Sequence, residues 1–337
     1  MSCENPIILG GAGSSGSTLL ITLLSRHPEI VAGPELSILN KKLFFDYTND
    51  ISPSKAKKLI NHKVSSNGWV LYPKVYFNEY GFTNEQVYKL LLNSENTKSF
   101  LDSFFQEYMK DKQGSIWAEK TPSNSYCFKE IKATYPKARL IHIYRDGRDV
   151  VTSFVKRNWS PYYASMTWIY NTSLALQYHG HPDYYGLKYE DLVADPENEM
   201  KKLCDFLKLD YSEKMLISEQ KEDNGINSWN NKPGGSISSS SIGKYKDFLK
   251  DFYAYVFYHS IISKSHVDLH GLKYTKASEL LKFLDYEVDE EQIASFEENN
   301  KNMDRKLDKL IRQDKIKRTK TLILKDRRLF PYPGSKF

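Results

Sequence analysis

Residues 5–25 read Asn5-Pro6-Ile7-Ile8-Leu9-Gly10-Gly11-Ala12-Gly13-Ser14-Ser15-Gly16-Ser17-Thr18-Leu19-Leu20-Ile21-Thr22-Leu23-Leu24-Ser25. A short apolar run over 5–9 is followed by a glycine-rich turn and an apolar helix over 17–25, so the order is strand, turn, helix. Backbone N–H groups in such a turn converge, and the helix start adds the positive end of its dipole. Glycines permit positive φ and the close approach that a phosphate requires. The spacing from Gly11 to Thr18 fits the phosphate-loop pattern G-x-x-x-x-G-K-[ST], with Ser17 in place of Lys. That Lys ordinarily reaches the β- and γ-phosphates, so this turn suits a phosphorylated ligand without a triphosphate chain. Nucleotide kinase chemistry is disfavoured for the same reason. The same letters fit G-x-G-x-x-G, and Glu35 lies 19 residues past Gly16, so NAD(P) binding by a Rossmann oxidoreductase is a competing reading. The Tyr-x-x-x-Lys pair that a short-chain dehydrogenase wants occurs at Tyr108/Lys112 and Tyr184/Lys188, which chance allows in a chain with 24 Tyr.

Outward from this turn, strands keep alternating with helices. Ile116-Trp117-Ala118 reads as a strand running into Glu119-Lys120-Thr121-Pro122, and residues 138–144 (ARLIHIY) as a buried strand. A helix is expected over 150–156, a strand over 186–189 and a helix over 197–207. This alternation argues for a parallel sheet. The expected fold is α/β: a P-loop-like three-layer fold with a central, mostly parallel sheet flanked by helices, plus a helical C-terminal extension. Residues 1–286 would form the catalytic domain, with a helical, aromatic insertion at about 40–110 over one sheet edge. The Asn/Gly/Ser-rich stretch 223–243 reads as a loop, 244–286 as apolar helix, and 287–337 as a charged, basic helical extension.

Composition narrows the class. The 337 residues are 40% hydrophobic, 27% charged and 14% aromatic, enough for a full core and against disorder. No apolar run of about 20 residues occurs, so no transmembrane segment is expected. The N-terminus reads as a strand start, not a secretory signal. Cys3, Cys127 and Cys204 form neither a zinc pattern nor a disulfide framework, which points to a cytoplasmic, reducing setting. Residues 301–337 hold 13 Lys and Arg against 4 Asp and Glu, so this tail carries +9 while the other 300 residues sum to −3. The basic character is a tail property; nucleic acid is not an expected partner, and a homo-oligomer contact is one use for the tail.

A second motif is Arg145-Asp146-Gly147-Arg148-Asp149-Val150-Val151-Thr152-Ser153, at a strand end leading into a helix. Ligands of open α/β sheets bind at the carboxyl ends of strands. Arg145 could fork onto an anion there, with Ser153 two helical turns on adding a hydroxyl. A structural Arg–Asp network is the alternative reading of the motif alone.

Taken together, the two motifs resemble those of the sulfotransferases that use 3′-phosphoadenosine 5′-phosphosulfate (PAPS). In that family the first loop usually reads Lys or Arg followed by Ser-Gly-Thr-Thr, matched here by Ser15-Gly16-Ser17-Thr18-Leu19. An Arg at a strand end with a Ser eight residues later holds the 3′-phosphate, as Arg145 and Ser153 are spaced. Leu187-Lys188-Tyr189-Glu190-Asp191-Leu192 looks like the segment whose Tyr lies near the nucleotide. Ile242-Gly243-Lys244-Tyr245-Lys246 resembles the late segment that closes over the cofactor, with Ser replacing the basic pair that normally precedes the Gly. The resemblance covers about 5–286. His27-Pro28-Glu29, Gly33-Pro34-Glu35 and Glu119-Lys120-Thr121-Pro122 bring it closest to the tyrosylprotein and bacterial branches.

The resemblance implies sulfuryl transfer to a hydroxyl or amine, with release of 3′-phosphoadenosine 5′-phosphate (PAP). Gly13, Ser14, Ser15, Gly16, Ser17, Thr18, Arg145, Ser153, Tyr189, Gly243 and Lys244 would bind the cosubstrate. Glu35 aligns with the catalytic Glu of the tyrosylprotein branch and is the expected base. Ser14 departs from the family's Lys or Arg, and Lys120 is the expected substitute cation; a catalytically weak binding protein is the alternative that Ser14 favours. No metal is expected. His27 reads better as a helix-end residue and His142 as a core His than as a second base. The acceptor is expected to be a small molecule or saccharide, with a peptide less favoured. Trp69, Tyr72, Tyr76, Phe77, Trp159, Tyr162 and Tyr163 could stack on it or belong to the core.

Overall fold

In the computed structural model, residues 4–40, 42–60, 77–217, 237–297 and 300–322 are described. Trp69, Tyr72 and Tyr76, Cys3 and most of the 223–243 stretch lie outside them.

Five parallel strands form one sheet: β1 (Ile7–Gly10), β2 (Ile30–Ala32), β3 (Ile116–Lys120), β4 (Arg139–Tyr144) and β5 (Tyr184–Lys188), in the order β2-β3-β1-β4-β5. β1 is central, and every residue in it is buried, as an interior parallel strand requires. The chain leaves β1 towards the β2–β3 side and later returns on its other side as β4. That reversal opens a crevice at the carboxyl ends of β1 and β4.

Helix Ser17–Ser25 follows β1 after the turn at 11–16, and helix Gly147–Val155 follows β4 after only two residues. The second helix is started by Asp146, whose carboxylate accepts the Arg148 N–H at 2.9 Å. Leu20, Ile21, Leu23 and Leu24 of the first helix pack with Ile7 and Leu9 of β1 and with Met200, Leu203 and Cys204 of helix Pro196–Leu207.

On the other face an aromatic layer grows from the segment between β2 and β3. Helix Thr97–Met109 buries Phe100, Phe104 and Phe105, and the Phe105 ring stacks on Trp117 of β3 at 3.9 Å. Phe77 is buried in this layer, against Phe100 and Phe104. A third cluster joins Val150, Val151 and Trp168 to Tyr255 and Phe257 of helix Asp251–His259. Leu307 of helix Asn300–Leu322 is buried in the same cluster, and Ser160 donates to Asp314 of that helix. Tyr162 is buried there as well.

His142 of β4 is fully buried, with Nδ1 2.8 Å from the Tyr184 hydroxyl. Burial lowers its pKa to about 3. The unfolded chain therefore takes up a proton near the ordinary value of 6.5 that the folded chain refuses. Its contribution to stability is intact above pH 6.5 and is lost as the pH falls towards 3, at up to about 1.4 kcal/mol per unit. Urea unfolding of wild type and His142→Asn between pH 7 and 5 should show the wild type losing stability more steeply. Parallel curves would exclude a buried neutral His142.

Candidate active site

The turn after β1 is shaped by close contacts that a side chain would break. Gly11 has φ +144, and its N–H donates to the Pro122 carbonyl at 2.6 Å. Gly16, at the start of helix Ser17–Ser25, has φ +93, and a Cβ there would come within 2.4 Å of the Tyr189 ring. Ser14 also takes a left-handed conformation, with φ 67. The Ser15 hydroxyl is buried and has no partner among the described residues.

Several side chains converge on Ser14. Its carbonyl accepts from Arg145 Nη1 at 3.2 Å, and its hydroxyl accepts from Ser153 Oγ at 3.2 Å. Arg157 Nη2 also donates to that hydroxyl. Arg157 is held by its own Nε on the Ser153 carbonyl at 3.1 Å and lies over the Phe154 ring. Partial burial lowers its pKa. The structure thus sets a guanidinium on the very residue that replaces the family's Lys or Arg.

Arg145 follows β4 and is 7% exposed. Its guanidinium lies 4.8 Å from the Tyr189 ring centroid, donates to the Ser241 carbonyl and pairs with Asp149 at 3.3 Å. Its buried Nε has no partner among the described residues. Asp149 in turn accepts the Gly243 N–H at 2.8 Å and the Tyr245 N–H at 2.9 Å. The Tyr189 hydroxyl lies 3.0 Å from Ser241 Oγ. The late segment is therefore drawn over the same corner through its backbone, while the Lys244 side chain is exposed.

Across from this corner stands an ion pair. Lys120, the last residue of β3, is 5% exposed, and its ammonium lies 2.5 Å from Glu35 Oε1 and 3.4 Å from Thr18 Oγ1. It joins the loop after β2 to the turn after β1. Partial burial, and after it the charge of Glu35, raise the pKa of Glu79. Tyr80 beside it donates to the Pro34 carbonyl at 2.8 Å.

The remaining candidates are occupied elsewhere. His27 Nε2 meets the Asp210 carbonyl at 2.8 Å, and its Nδ1 accepts the Glu29 N–H at 3.2 Å, which makes it a helix-end residue. Trp159 stacks between Phe154 and Tyr163. No group of three or more His, Cys, Asp or Glu suited to a metal ion occurs among the described residues. Sequence reading overlooked Arg157 and gave Asp149 no role beyond an Arg–Asp network. Each lies one helical turn from a residue it did single out, Ser153 and Arg145, and that spacing is the signal that could have found them.

Strand order, turn and converging cations define a P-loop-like α/β transferase architecture. The chain belongs to the sulfotransferase family, whose sequence profile ("Sulfotransferase family") matches residues 6–213. It is 24% identical over 228 residues to protein-tyrosine sulfotransferase A of Caenorhabditis elegans, covering 64% of this chain and 52% of that protein. It therefore spans about half the length of that relative. A putative protein-tyrosine sulfotransferase of Caenorhabditis briggsae is 24% identical over 229 residues, covering 63% of this chain and 69% of that one. Among solved structures, the sulfotransferase domain from the Synechococcus PCC 7002 olefin synthase superposes with a TM-score of 0.54 at 20% identity, covering 85% of this chain and 97% of that one. The sulfotransferase domain from the curacin biosynthetic pathway gives 0.52 at 18%, covering 86% and 100%. These two show a shared fold. No helix among the described residues is long and apolar enough to cross a membrane.

Proposed function

We propose that this chain transfers the sulfuryl group of PAPS to a hydroxyl of its acceptor and releases PAP, with Glu35 as base. The observation that carries this reading is a pair of buried donors, one in the turn after β1 and one just after β4, with no acceptor among the described residues. The Arg145 Nε and the Ser15 hydroxyl are both buried and unpartnered among the described residues, beside a helix start. An orphaned buried donor is costly, and an anion is the partner that would relieve both.

Gly13, Ser14, Ser15, Gly16, Ser17 and Thr18 would hold the 5′-phosphate chiefly by backbone N–H groups, and Arg145 with Ser153 the 3′-phosphate. Tyr189 would flank the nucleotide, and Gly243 with Lys244 would close over it. PAPS supplies a sulfuryl group already activated by a phosphate leaving group. Glu35 would take the acceptor proton on a carboxylate oxygen, and Lys120 would place positive charge between that carboxylate and the turn. Arg157 supplies a cation where Ser14 lacks one, which counts against the alternative of an inert binding protein. No metal enters this scheme.

The acceptor we favour is a small molecule or saccharide. The two curated relatives are named for protein tyrosine, so a tyrosyl peptide belongs in the same assay panel. Cys127 and Cys204 are buried thiols, which fits a cytoplasmic setting.

The test is thermal stabilisation by PAP, with ATP, AMP and NAD(P) as controls. PAP at 100 times its Kd should add about 2.7 kcal/mol, and Arg145→Ala should abolish the gain. Stabilisation by NAD(P) but not by PAP would overturn the proposal.

A further inference from the structure

Glu119 has no exposed surface, although it immediately precedes Lys120 in β3. Strand alternation sends the two side chains to opposite faces. Glu119 Oε1 accepts the Leu36 N–H at 2.9 Å and the Thr121 hydroxyl at 2.7 Å, and Oε2 accepts from Asn124 Nδ2 at 2.5 Å. The Thr121 hydroxyl oxygen also accepts the Ser37 N–H at 3.0 Å. Asn124 Nδ2 donates again, to the Leu9 carbonyl at 3.0 Å. One buried carboxyl therefore reaches the two backbone N–H groups that follow Glu35, one directly and one through Thr121. Through Asn124 it also binds them to β1, where the phosphate turn begins.

Two features set this apart from routine satisfaction of a buried polar group. Ser37 has φ 51, a left-handed conformation that costs a non-glycine residue energy and persists only where the surroundings hold it. One hold on it is the Thr121 hydroxyl, itself bonded to Glu119. Moreover, all three groups bonded to Glu119 are donors, so the arrangement suits the ionised carboxylate, which only accepts. Burial, and to a lesser degree the Glu35 charge, push its pKa up, while the three donors oppose them. A buried charge of this kind is expensive, and a neutral side chain would fill the space at lower cost.

We infer that Glu119 is a positioning residue for Glu35: its carboxylate pins the loop after β2 so that Glu35 meets Lys120, and ties that loop to the phosphate turn. This rests on the reading of Glu35 as base. Glu119 itself touches neither Lys120 nor the turn.

Glu119→Gln keeps an oxygen for the Leu36 N–H but sets an NH2 against Asn124 Nδ2. Asn124 can answer with its Oδ1, which has no partner among the described residues, only by releasing the Leu9 carbonyl. Thr121→Val cuts the Ser37 tie and one of the three donors to Glu119, and leaves the Leu36 and Asn124 bonds in place. Each variant of the full chain is compared with wild type in PAPS consumption over the acceptor panel, in PAP titration, and in amide hydrogen exchange. In Glu119→Gln, kcat should fall by roughly tenfold or more while Kd for PAP stays within about threefold. Thr121→Val should speed exchange at Ser37 by roughly tenfold or more and leave β1 and helix Ser17–Ser25 unchanged.

Unchanged kcat in Glu119→Gln, or exchange rising evenly along the chain in either variant, would overturn the inference. Should Glu119→Gln fail to fold, Thr121→Val carries the test: kcat must fall with PAP affinity kept. A wild type that consumes no PAPS would count against the sulfotransferase reading alone. In that case the exchange contrast at Ser37 still decides whether the loop is pinned.

Discussion

Lys120→Ala is expected to lower kcat a hundred- to a thousandfold, on the order of what removing one charge-stabilising donor costs, while PAP affinity stays within a few-fold. The side chain is 5% exposed, and its ammonium reaches Glu35 on one side and Thr18 on the other. It is the cation that touches both the proposed base and the turn. On the proposed mechanism, alanine would remove positive charge from between the base and the turn. It also leaves the Glu35 carboxylate without its partner. PAP binding should survive because Arg145, Ser153 and the turn backbone do not depend on Lys120. Steady-state kinetics and a PAP titration on the same preparation separate the two quantities. Wild-type kcat would remove Lys120 from the mechanism; equal loss of kcat and PAP affinity would make it a binding residue.

Gly16→Val should abolish PAP stabilisation and lower folding stability by several kcal/mol, since two separate costs combine. The backbone at Gly16 has φ +93, which a β-branched residue tolerates poorly, and the added Cβ meets Tyr189 Cδ2 at 2.4 Å. A Gly16→Ala/Tyr189→Ala double variant distinguishes them. It should recover the part due to the ring and retain about 1–2 kcal/mol of backbone strain, read by urea unfolding. Full recovery would show that the left-handed backbone at position 16 is not required. PAP stabilisation in Gly16→Val would show that the turn does not seat the phosphate.

What could be read from sequence was local. The turn from Gly11 to Thr18 announces itself because strand, glycines and helix are contiguous, and Arg145 with Ser153 because both lie on one strand-to-helix connection. Four of the five strands were legible from their apolar runs, but the three-residue β2 and the order β2-β3-β1-β4-β5 were not, since so short a run carries little pattern and periodicity does not encode a strand's neighbours. The contacts that organise the corner join residues far apart in the chain. Arg157 meets Ser14 across 143 positions, Asp149 meets Gly243 across 94, and Glu119 meets Leu36 across 83. Two of these are carboxylates accepting from backbone N–H groups, a donor that every residue except proline carries and that leaves no letter at the donating end. The departure at Ser14 was visible, yet the cation beside it was sought at Lys120. Only the fold brings Arg157 onto that hydroxyl.

The Asp149 carboxylate has one further consequence. It grips the Gly243 and Tyr245 amides and pairs with Arg145 at the same time. The Arg145 guanidinium and the backbone of the segment around Gly243 thus meet on one carboxylate, buried at 2% exposure. An anion bound at Arg145 would compete with Asp149 for that guanidinium's charge. On the proposed function, a phosphate held by Arg145 and the placement of the segment around Gly243 would therefore be linked through Asp149, so that replacing this one carboxylate should alter the release of PAP.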